Sequence, residues 1–445
     1  MAFVDTLKNI WKIEELKNRI LLTLGLLLVY RFGAQVVLPG IDASQLANLA
    51  QQTDSGLLGL LNAFTGGAFS NASVFALGIM PYISASIVVQ LMGIAVPYLQ
   101  KLQKEGESGR KKINQITRWL TIAITLFQGP GYIINLYATL PGEAFIIDSQ
   151  FVFTLSSVII LTTGCIFAMW LGEKITDKGI GNGISLLIMV GIIATLPQAF
   201  IQEFAARTVE STGGLIMILI ELVIWFAIIY ASVMLVRAVR KIPVQYARRN
   251  AAGGYQKNVG GARQFIPLKL NASGVMPIIF AQAIMFIPAA VAGLSETDAA
   301  QGVAAAFTDI FGFWYNVVFA LLIIVFTYFY TAITVPTNKM ADDLKHSGGF
   351  IPGIRPGSET AEYLDRIMSQ ITLPGSIFLA IIAVFPAIIV KILGVQAGWA
   401  LFFGGTSLLI MVGVAIDTIE QVNSYLLNRH YDGLMKTGKK RKAVA

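Results

Sequence analysis

The sequence predicts an all-α polytopic membrane protein with ten transmembrane helices. The first observation is composition, because 55% of the 445 residues are hydrophobic and only 13% are charged, whereas soluble proteins carry about 25% charged residues. The second is length, because several apolar runs exceed the roughly 20 residues that cross a bilayer as a helix. The third is a repeated Gly/Pro motif, which indicates that the chain consists of two related halves.

Ten apolar segments are predicted to be spans, and their order along the chain is 20–38, 74–96, 116–138, 151–172, 183–202, 214–236, 271–293, 312–335, 373–393 and 400–427. An even number of spans places both termini on one side of the membrane. Nearly all of the 33 Lys and Arg residues fall on that side, whereas the opposite loops hold Arg207 and at most Lys391. Cytoplasmic loops carry the excess of basic residues, so both termini are predicted to be cytoplasmic.

These segments divide the chain into four regions. Residues 1–19 mix apolar side chains with Lys and Arg, which predicts an amphipathic cytoplasmic helix at the membrane surface. Residues 20–205 form an N-terminal half with spans one to five, and residues 206–427 form a C-terminal half with spans six to ten. Residues 428–445 form a basic cytoplasmic tail.

The repeated motif lies in the second span of each half. The segment Phe75–Leu91 contains Gly78 and Pro81 near its start, and Asn271–Gln282 repeats its Gly-x-Met-Pro-x-Ile pattern. Proline removes a backbone donor and clashes with the preceding turn, so both spans are predicted to be broken helices. Paired breaks in two halves favour a functional site at the repeat interface. The alternative is a chance similarity between two apolar helices.

A short apolar segment, Leu57–Phe69, precedes the first copy of the motif. It is too short to span a bilayer, and it ends at the pair Gly66 and Gly67. This pattern predicts a half-helix that leads through a glycine hinge into the broken span. Such a segment is expected to lie inside the protein and to be able to move.

Two cytoplasmic loops, residues 237–270 and 336–372, are longer than the topology requires. In the first, apolar residues alternate around Ile242 and Val244 between basic ends, which predicts a β-hairpin. In the second, a Pro/Gly-rich stretch leads into Ser358–Gln370, which is predicted to be a helix. Two ordered, basic protrusions favour a docking platform. The alternative is the ordinary excess of positive charge on solvated cytoplasmic loops.

The sequence offers no group for catalysis or cofactor binding. A single cysteine, Cys165, and two histidines outside the spans exclude a disulfide and make a metal site unexpected. The glycine run 179–183 lacks the Lys-Ser/Thr of a phosphate-binding loop, so no nucleotide site is predicted. Few ionisable residues lie within the spans, and Glu221 among them has no assigned role. We therefore expect no cofactor, no metal and no enzymatic activity.

Three function classes remain open at this point. A passive polypeptide channel would need partners as its energy source. A secondary transporter of a small solute also uses repeats and broken helices, but it usually places charges or ion ligands at the breaks. The residues beside both breaks are apolar or small, which indicates a seal. An intramembrane enzyme would need catalytic groups that the sequence does not provide.

Eight motifs in order resemble the SecY/Sec61α family of protein-conducting channels over nearly the whole chain. They are Leu38–Asp42, Phe75–Leu91, Lys104–Arg110, Gly179–Ser185, Ile242–Ala247, Leu268–Ala281, Gly349–Gly357 and Gly404–Ile410. The resemblance implies two inverted pseudo-symmetric five-helix halves with a central hourglass pore. It implies translocation of unfolded secretory polypeptides and lateral release of transmembrane segments into the bilayer.

The resemblance also assigns residues. The apolar pore ring would consist of Ile79, Ile83, Ile184, Ile188, Ile279 and Ile410, and such a constriction holds back ions by dewetting. The plug, within 57–73, would include Leu57, Leu60, Leu61, Phe64, Gly66, Gly67 and Phe69. The lateral gate would include Pro81, Ser84, Ile87, Pro277, Phe280 and Gln282. Docking on the cytoplasmic loops would use Arg240, Lys241, Arg248, Arg249 and Arg355.

The family resemblance finally implies partners and a location. The partners would be the SecE and SecG subunits, the SecA motor ATPase, the ribosome, signal peptides and nascent polypeptides, YidC, SecDF and membrane lipid. The location would be the bacterial cytoplasmic membrane, with a plastid membrane as the alternative.

Overall fold

The computed structural model describes residues 11, 13–46, 56–147, 149–209, 214–246, 264–292 and 309–441. Its helices in chain order are α1 (Glu14–Gly33), α2 (Gly56–Thr65), α3 (Met80–Ala95), α4 (Pro97–Lys104), α5 (Glu107–Thr139), α6 (Gln150–Lys178), α7 (Gly183–Val209), α8 (Gly214–Arg237), α9 (Met276–Ala292), α10 (Phe313–Thr334), α11 (Thr337–His346), α12 (Ser358–Leu393), α13 (Ala397–Ala400) and α14 (Gly405–Arg441). Its strands are β1 (Val239–Tyr246), β2 (Gln264–Lys269) and β3 (Gly349–Phe350).

The chain forms two compact units. The first contains Met1–Gly214, Val395–Phe402 and Val414–Ala445, and the second contains Leu215–Gly394 and Phe403–Gly413. In the first unit, α5 packs against α3, α4 and α6, and α7 packs against α6 and α2. In the second unit, α10 packs against α9 and α12. The predicted region boundaries at residues 205 and 427 stay a prediction.

A helix occupies each of the ten predicted spans. Within the described part of the chain, six helices are long and apolar enough to cross a bilayer. The pair α3 and α4, which meet at a bend of 101°, would form a seventh span if it is counted as one. The chain is therefore a multi-pass membrane protein, and the total of ten spans stays a prediction. Polar residues such as Gln128 and Asn135 lie in the second half of α5 and lower its mean hydropathy.

The repeated motif starts a helix in both copies. Helix α3 begins at Met80 with Pro81 in its first turn, and α9 begins at Met276, one residue before the second proline. The glycine two residues before each start, Gly78 or Gly274, has a positive φ of 53° or 64°. Proline is well tolerated in a first turn because its missing N–H would lack a helical partner there. Each helix therefore begins within the motif, and the first residues of the predicted spans, 74–79 and 271–275, are not helical.

The half-helix is shorter than the predicted plug segment 57–73. Helix α2 ends at Thr65, and Gly66 and Gly67 follow with φ values of 67° and 85°. L-residues rarely adopt this left-handed conformation, which glycine reaches without steric cost. Residues 66–79 form a series of turns that connects α2 to α3.

The two long loops that were predicted to be cytoplasmic contribute strands to one sheet, with strand order β2-β1-β3. The predicted hairpin is confirmed, because β1 pairs antiparallel with β2 from Val239–Lys269 to Val244–Gln264. Strand β3 of the second loop pairs with the other edge of β1. The predicted helix after it is also confirmed, but it continues without interruption into the ninth span as the 36-residue helix α12.

Candidate functional site

The end of helix α2 lies against two other helices of the first unit. The Arg31 guanidinium of α1 donates a hydrogen bond from Nη1 to the Gly66 carbonyl oxygen. On the other side, the backbone of α7 comes so close that a Cβ added at Gly191 would lie 2.7 Å from the Phe64 carbonyl oxygen. Only glycine at position 191 allows this approach of two backbones, so α2 is seated by backbone contact and by one cation.

The turns that follow α2 are anchored separately. The Tyr132 hydroxyl of α5 donates to the Phe69 carbonyl oxygen at 2.9 Å, and both side chains are buried. Their rings pack edge to face with centroids 4.9 Å apart. Further along, the Leu38 N–H donates to the Ala72 carbonyl oxygen at 2.9 Å. Together with the bond between Val74 N–H and the Val36 carbonyl oxygen, also 2.9 Å, this fixes residues 69–74 to the segment after α1.

We call the contact of the α2 end with Arg31 and Gly191 the seat of α2. A polar cavity of about 300 Å³ lies beside this seat. It is lined by Arg31, Gln35 and Asn62 on one side and by Gln198 and Gln202 of α7 on the other. Asn62 also ties α2 to the following turn, since its side-chain oxygen accepts a hydrogen bond from the Ser70 N–H at 3.1 Å.

The loop before the anchored turns is itself held by polar contacts. The Asp42 carboxylate accepts a hydrogen bond from the Ser44 backbone N–H at 3.0 Å, and this bond holds the pKa of the exposed carboxyl below its usual value. The Asp42 N–H donates to the Ala144 carbonyl oxygen at 2.9 Å. These contacts connect residues 41–46 to the segment between α5 and α6.

The residues predicted to form the plug lie on α2 and in the turns that follow it. Phe64 and Phe69 are buried, Leu61 is half-buried, and Gly66 is in contact with Arg31. The side chains of Leu57 and Leu60 lie outside the described part of the structure. The role of these residues as a plug stays a prediction.

The six predicted ring isoleucines are distributed over both units. Ile79 and Ile188 are buried, whereas Ile83 and Ile184 are half-buried, and all four belong to the first unit. In the second unit, Ile410 is buried and Ile279 is half-buried. Their grouping into one ring stays a prediction.

The predicted gate residues occupy the first turns of α3 and α9. Pro81, Ser84 and Ile87 lie at intervals of three residues along α3. Ser84 is half-buried, and the other two are buried. On α9, Pro277 is buried, and Phe280 packs against Phe326 and Tyr330 of α10 with ring centroids 5.8 Å apart in both pairs. Gln282 is buried, and within the described residues its side-chain oxygen has no hydrogen-bond partner.

Three of the five predicted docking residues are exposed on or beside the three-stranded sheet. Arg240 and Lys241 lie on β1 with exposed side chains, and the exposed Arg355 lies in the turn before α12, where it pairs with Glu359 at 3.7 Å. Arg248 and Arg249 lie outside the described residues.

One buried ion pair was not predicted from the sequence. Arg207 was expected in a loop on the side opposite the termini, but Arg207 and Glu203 are both buried on α7, where Arg207 Nε donates to Glu203 Oε1 at 2.8 Å. The other carboxylate oxygen of Glu203 accepts a hydrogen bond from the Gln396 N–H at 2.9 Å. The spacing of four residues was the available signal, since it places the two charges on one helix face. The pair positions the segment before α13.

These features define a multi-pass helical membrane protein in which a short, internally seated half-helix precedes an apolar span. The chain belongs to the SecY family, because the family model described as SecY matches residues 73–419. It is 40% identical to "Protein translocase subunit SecY" of Streptomyces scabiei over 438 residues, which cover 96% of this chain and 98% of that protein. It is 41% identical to the protein of the same name from Vibrio cholerae over 430 residues, 95% of each chain.

Solved structures show the same fold. One, described as showing that the SecY plug domain stabilises the closed state of the translocation channel and maintains a membrane seal, matches with a TM-score of 0.59 and 18% identity over 91% of both chains. Another, Sec61 in a canine ribosome-channel complex, matches with a TM-score of 0.53 and 18% identity over 91% of both chains. At this identity the match establishes the architecture of the chain.

Proposed function

We propose that this chain is the protein-conducting channel subunit of a Sec translocase. In this role it passes unfolded secretory polypeptides across the membrane and releases transmembrane segments laterally into the lipid. The observation that carries the proposal is the similarity of about 40% over the whole chain to translocase subunits. The seated half-helix α2 supports it, because a channel for a flexible chain needs a closure that does not depend on the substrate.

The resting seal is proposed to have two layers. The six ring isoleucines, Ile79, Ile83, Ile184, Ile188, Ile279 and Ile410, line the narrowest part of the path, and α2 is the plug. A narrow aliphatic constriction excludes hydrated ions because water leaves it easily. Aliphatic side chains change rotamer at little cost, so the same constriction fits around a passing polypeptide. No nucleotide site is assigned to this chain, and the energy is proposed to come from a partner.

The first turns of α3 and α9 are proposed to form the lateral gate. Their surfaces are largely apolar, and they carry the few polar groups Ser84 and Gln282. An apolar signal segment can pack against such a surface. A buried amide such as that of Gln282 weakens apolar packing, because its desolvation opposes burial. This combination suits a helix surface that must open and close.

The cytoplasmic sheet is proposed to receive the SecA motor ATPase or the ribosome. Arg240, Lys241 and Arg355 are exposed on it, and Arg248 and Arg249 follow on the same loop. Basic side chains bind ribosomal RNA largely through phosphate contacts. SecE, SecG, YidC and SecDF complete the proposed partners. The bacterial cytoplasmic membrane with both termini in the cytoplasm is the proposed setting, supported by the distribution of basic residues.

The proposal is tested by a photo-crosslink from Ile83. A photo-reactive residue replaces Ile83, a secretory chain is stalled during export in membranes, and a covalent adduct is sought. The matched control carries the same residue at Ile159, which is exposed on α6. An adduct at position 83 alone, dependent on a functional signal sequence, is expected. Efficient export without an adduct at Ile83 would show that the polypeptide does not pass this residue. It would reopen the alternative of a solute transporter, which the names of the relatives do not support.

A further inference from the structure

We propose that Arg31 is the positioning residue that latches the plug helix α2 in its seat against α7. This inference rests on the proposed function of α2 as a plug and names what holds it closed. Arg31 lies near the end of α1, and its guanidinium donates to the carbonyl oxygen of Gly66, just beyond the last residue of α2. A cation at the C-terminal end of a helix complements both the free carbonyl groups and the negative end of the helix dipole.

The seat itself is built from two glycines. A Cβ added at Gly66 would lie 2.8 Å from both Gly191 Cα and Arg31 Nη1. A Cβ added at Gly191 would lie 3.3 Å from the Gly66 N–H nitrogen. Each glycine therefore leaves the space that the other backbone fills. The contact holds α2 by shape, and the Arg31 bond adds a directional attraction that is lost when α2 moves away.

The Arg31–Gly66 bond lies between α2, which is proposed to be displaced, and residues 69–74, which are anchored. Residues 69–74 are held by Tyr132 and by the backbone bonds to Leu38 and Val36. Before that anchor, the contacts at the C-terminal end of α2 include the Arg31 bond, the approach of Gly191, the Asn62–Ser70 bond and the bond from the Phe69 N–H to the Thr65 hydroxyl oxygen. Loss of the Arg31 bond therefore releases the helix first and leaves the anchored turns in place.

The cavity beside the seat makes this release reversible. A half-buried guanidinium that loses its partner in an apolar site is strongly destabilised. Here Gln35, Asn62, Gln198 and Gln202 line the same cavity of about 300 Å³. Their side-chain oxygens and water in such a space can solvate Arg31 while α2 is displaced. The open state thus avoids an isolated charge, and the closed state gains one charge-assisted hydrogen bond.

The latch is tested with two near-isosteric thiol probes in the full chain. Cys165 is the only cysteine, so a Cys165→Ser background is free of thiols. Thr65→Cys reports on the end of α2, where Thr65 is 2% exposed, and Ser73→Cys reports on the anchored turn, where Ser73 is 0% exposed. The rate of alkylation by N-ethylmaleimide in membranes measures the exposure of each thiol, and it requires neither polypeptide transport nor an assumed orientation.

In this background, Arg31→Gln is expected to raise the alkylation rate at position 65 about tenfold, the effect of losing one charge-assisted hydrogen bond. The rate at position 73 should stay unchanged. Arg31→Lys should give a smaller increase, since Lys keeps the charge but not the planar geometry. The matched control Arg19→Gln removes a guanidinium from the other end of the same helix α1, where Arg19 bonds to Glu15 and to the Gly179 carbonyl oxygen, and it should leave both rates unchanged.

Each outcome decides between alternatives. An unchanged rate at position 65 in Arg31→Gln would reject the latch. Equal increases at positions 65 and 73 would also reject it, because they would show general loosening of the first unit. An increase confined to position 65, combined with no adduct at Ile83 in the crosslinking experiment, would retain the latch and reject the protein-conducting function.

Discussion

The contacts of helix α2 and those of the three-stranded sheet depend on different forces. Helix α2 is seated through the Arg31 hydrogen bond and the close approach of Gly66 to Gly191. The sheet and the helices packed on it are held by a strand ladder and an apolar core, whose buried members are Ile242, Val244, Leu268, Leu344, Ile351, Leu364, Met368 and Ile371. A few directional contacts can be broken and remade, whereas burial of many aliphatic side chains resists any local change. The first arrangement suits a moving part, and the second suits a rigid platform.

The largest expected effect is a cavity in the core beneath the sheet. Leu364→Ala removes a fully buried side chain of α12 and should destabilise the sheet and the helices packed on it by about 2–5 kcal/mol. Limited proteolysis of the loops around β1 and β3 in the purified full chain should be clearly faster. The matched control is Leu373→Ala, on the same helix but 53% exposed, which should have little effect.

Leu364→Ala also tests whether the contacts of α2 depend on the core beneath the sheet. If the two regions are held independently, alkylation of the Thr65→Cys probe should not change in this variant. Faster labelling at position 65 would show that the core beneath the sheet also supports the plug seat, and the proposed separation of roles would then be wrong.

A smaller effect is expected at the seat. Gly191→Ala places a Cβ 2.7 Å from the Phe64 carbonyl oxygen, and since this neighbour is backbone, α2 has to shift. Such overpacking costs about 1–3 kcal/mol. We expect a raised ion conductance of the resting protein in planar bilayers, with proteolysis of the cytoplasmic loops unchanged. Gly131→Ala on α5 is the control, because its added Cβ would meet no atom within 4 Å. A resting conductance equal to that of the unmodified protein would remove the seat from the sealing mechanism.

The sequence predicted those features that depend on local patterns. The hairpin followed from alternation around Ile242 and Val244, and the spans followed from apolar runs. The repeated Gly-x-Met-Pro motif indicated an interruption near the start of two spans, but it did not indicate the residue at which each helix begins. Proline disrupts a helix interior and is favoured in a first turn, and a sequence does not reveal which position it takes until the helix start is known.

The contacts that hold the plug could not be predicted, because they join residues far apart in the chain. Arg31 lies within the first predicted span, but nothing in the sequence pairs it with Gly66, 35 positions away. The same holds for Gly191, which is one of 42 glycines. Likewise, the pairing of β1 with β3 joins two loops separated by two spans. Such contacts depend on tertiary packing, and no periodicity in the sequence reports on them.

The smallest effect on stability is expected at the exposed edge of the platform, where function should nevertheless be lost. The Arg355 side chain is 88% exposed and pairs with the exposed Glu359, and such surface pairs contribute about 0–1 kcal/mol. Arg355→Glu should therefore leave insertion, proteolysis and resting conductance unchanged, while export of a secretory protein falls strongly because a partner meets the wrong charge. Arg366→Glu, an equal charge reversal at an exposed position of α12, is the control and should export normally. Equal loss of export in both variants would point to the net charge of the platform, and normal export in Arg355→Glu would exclude this residue from docking.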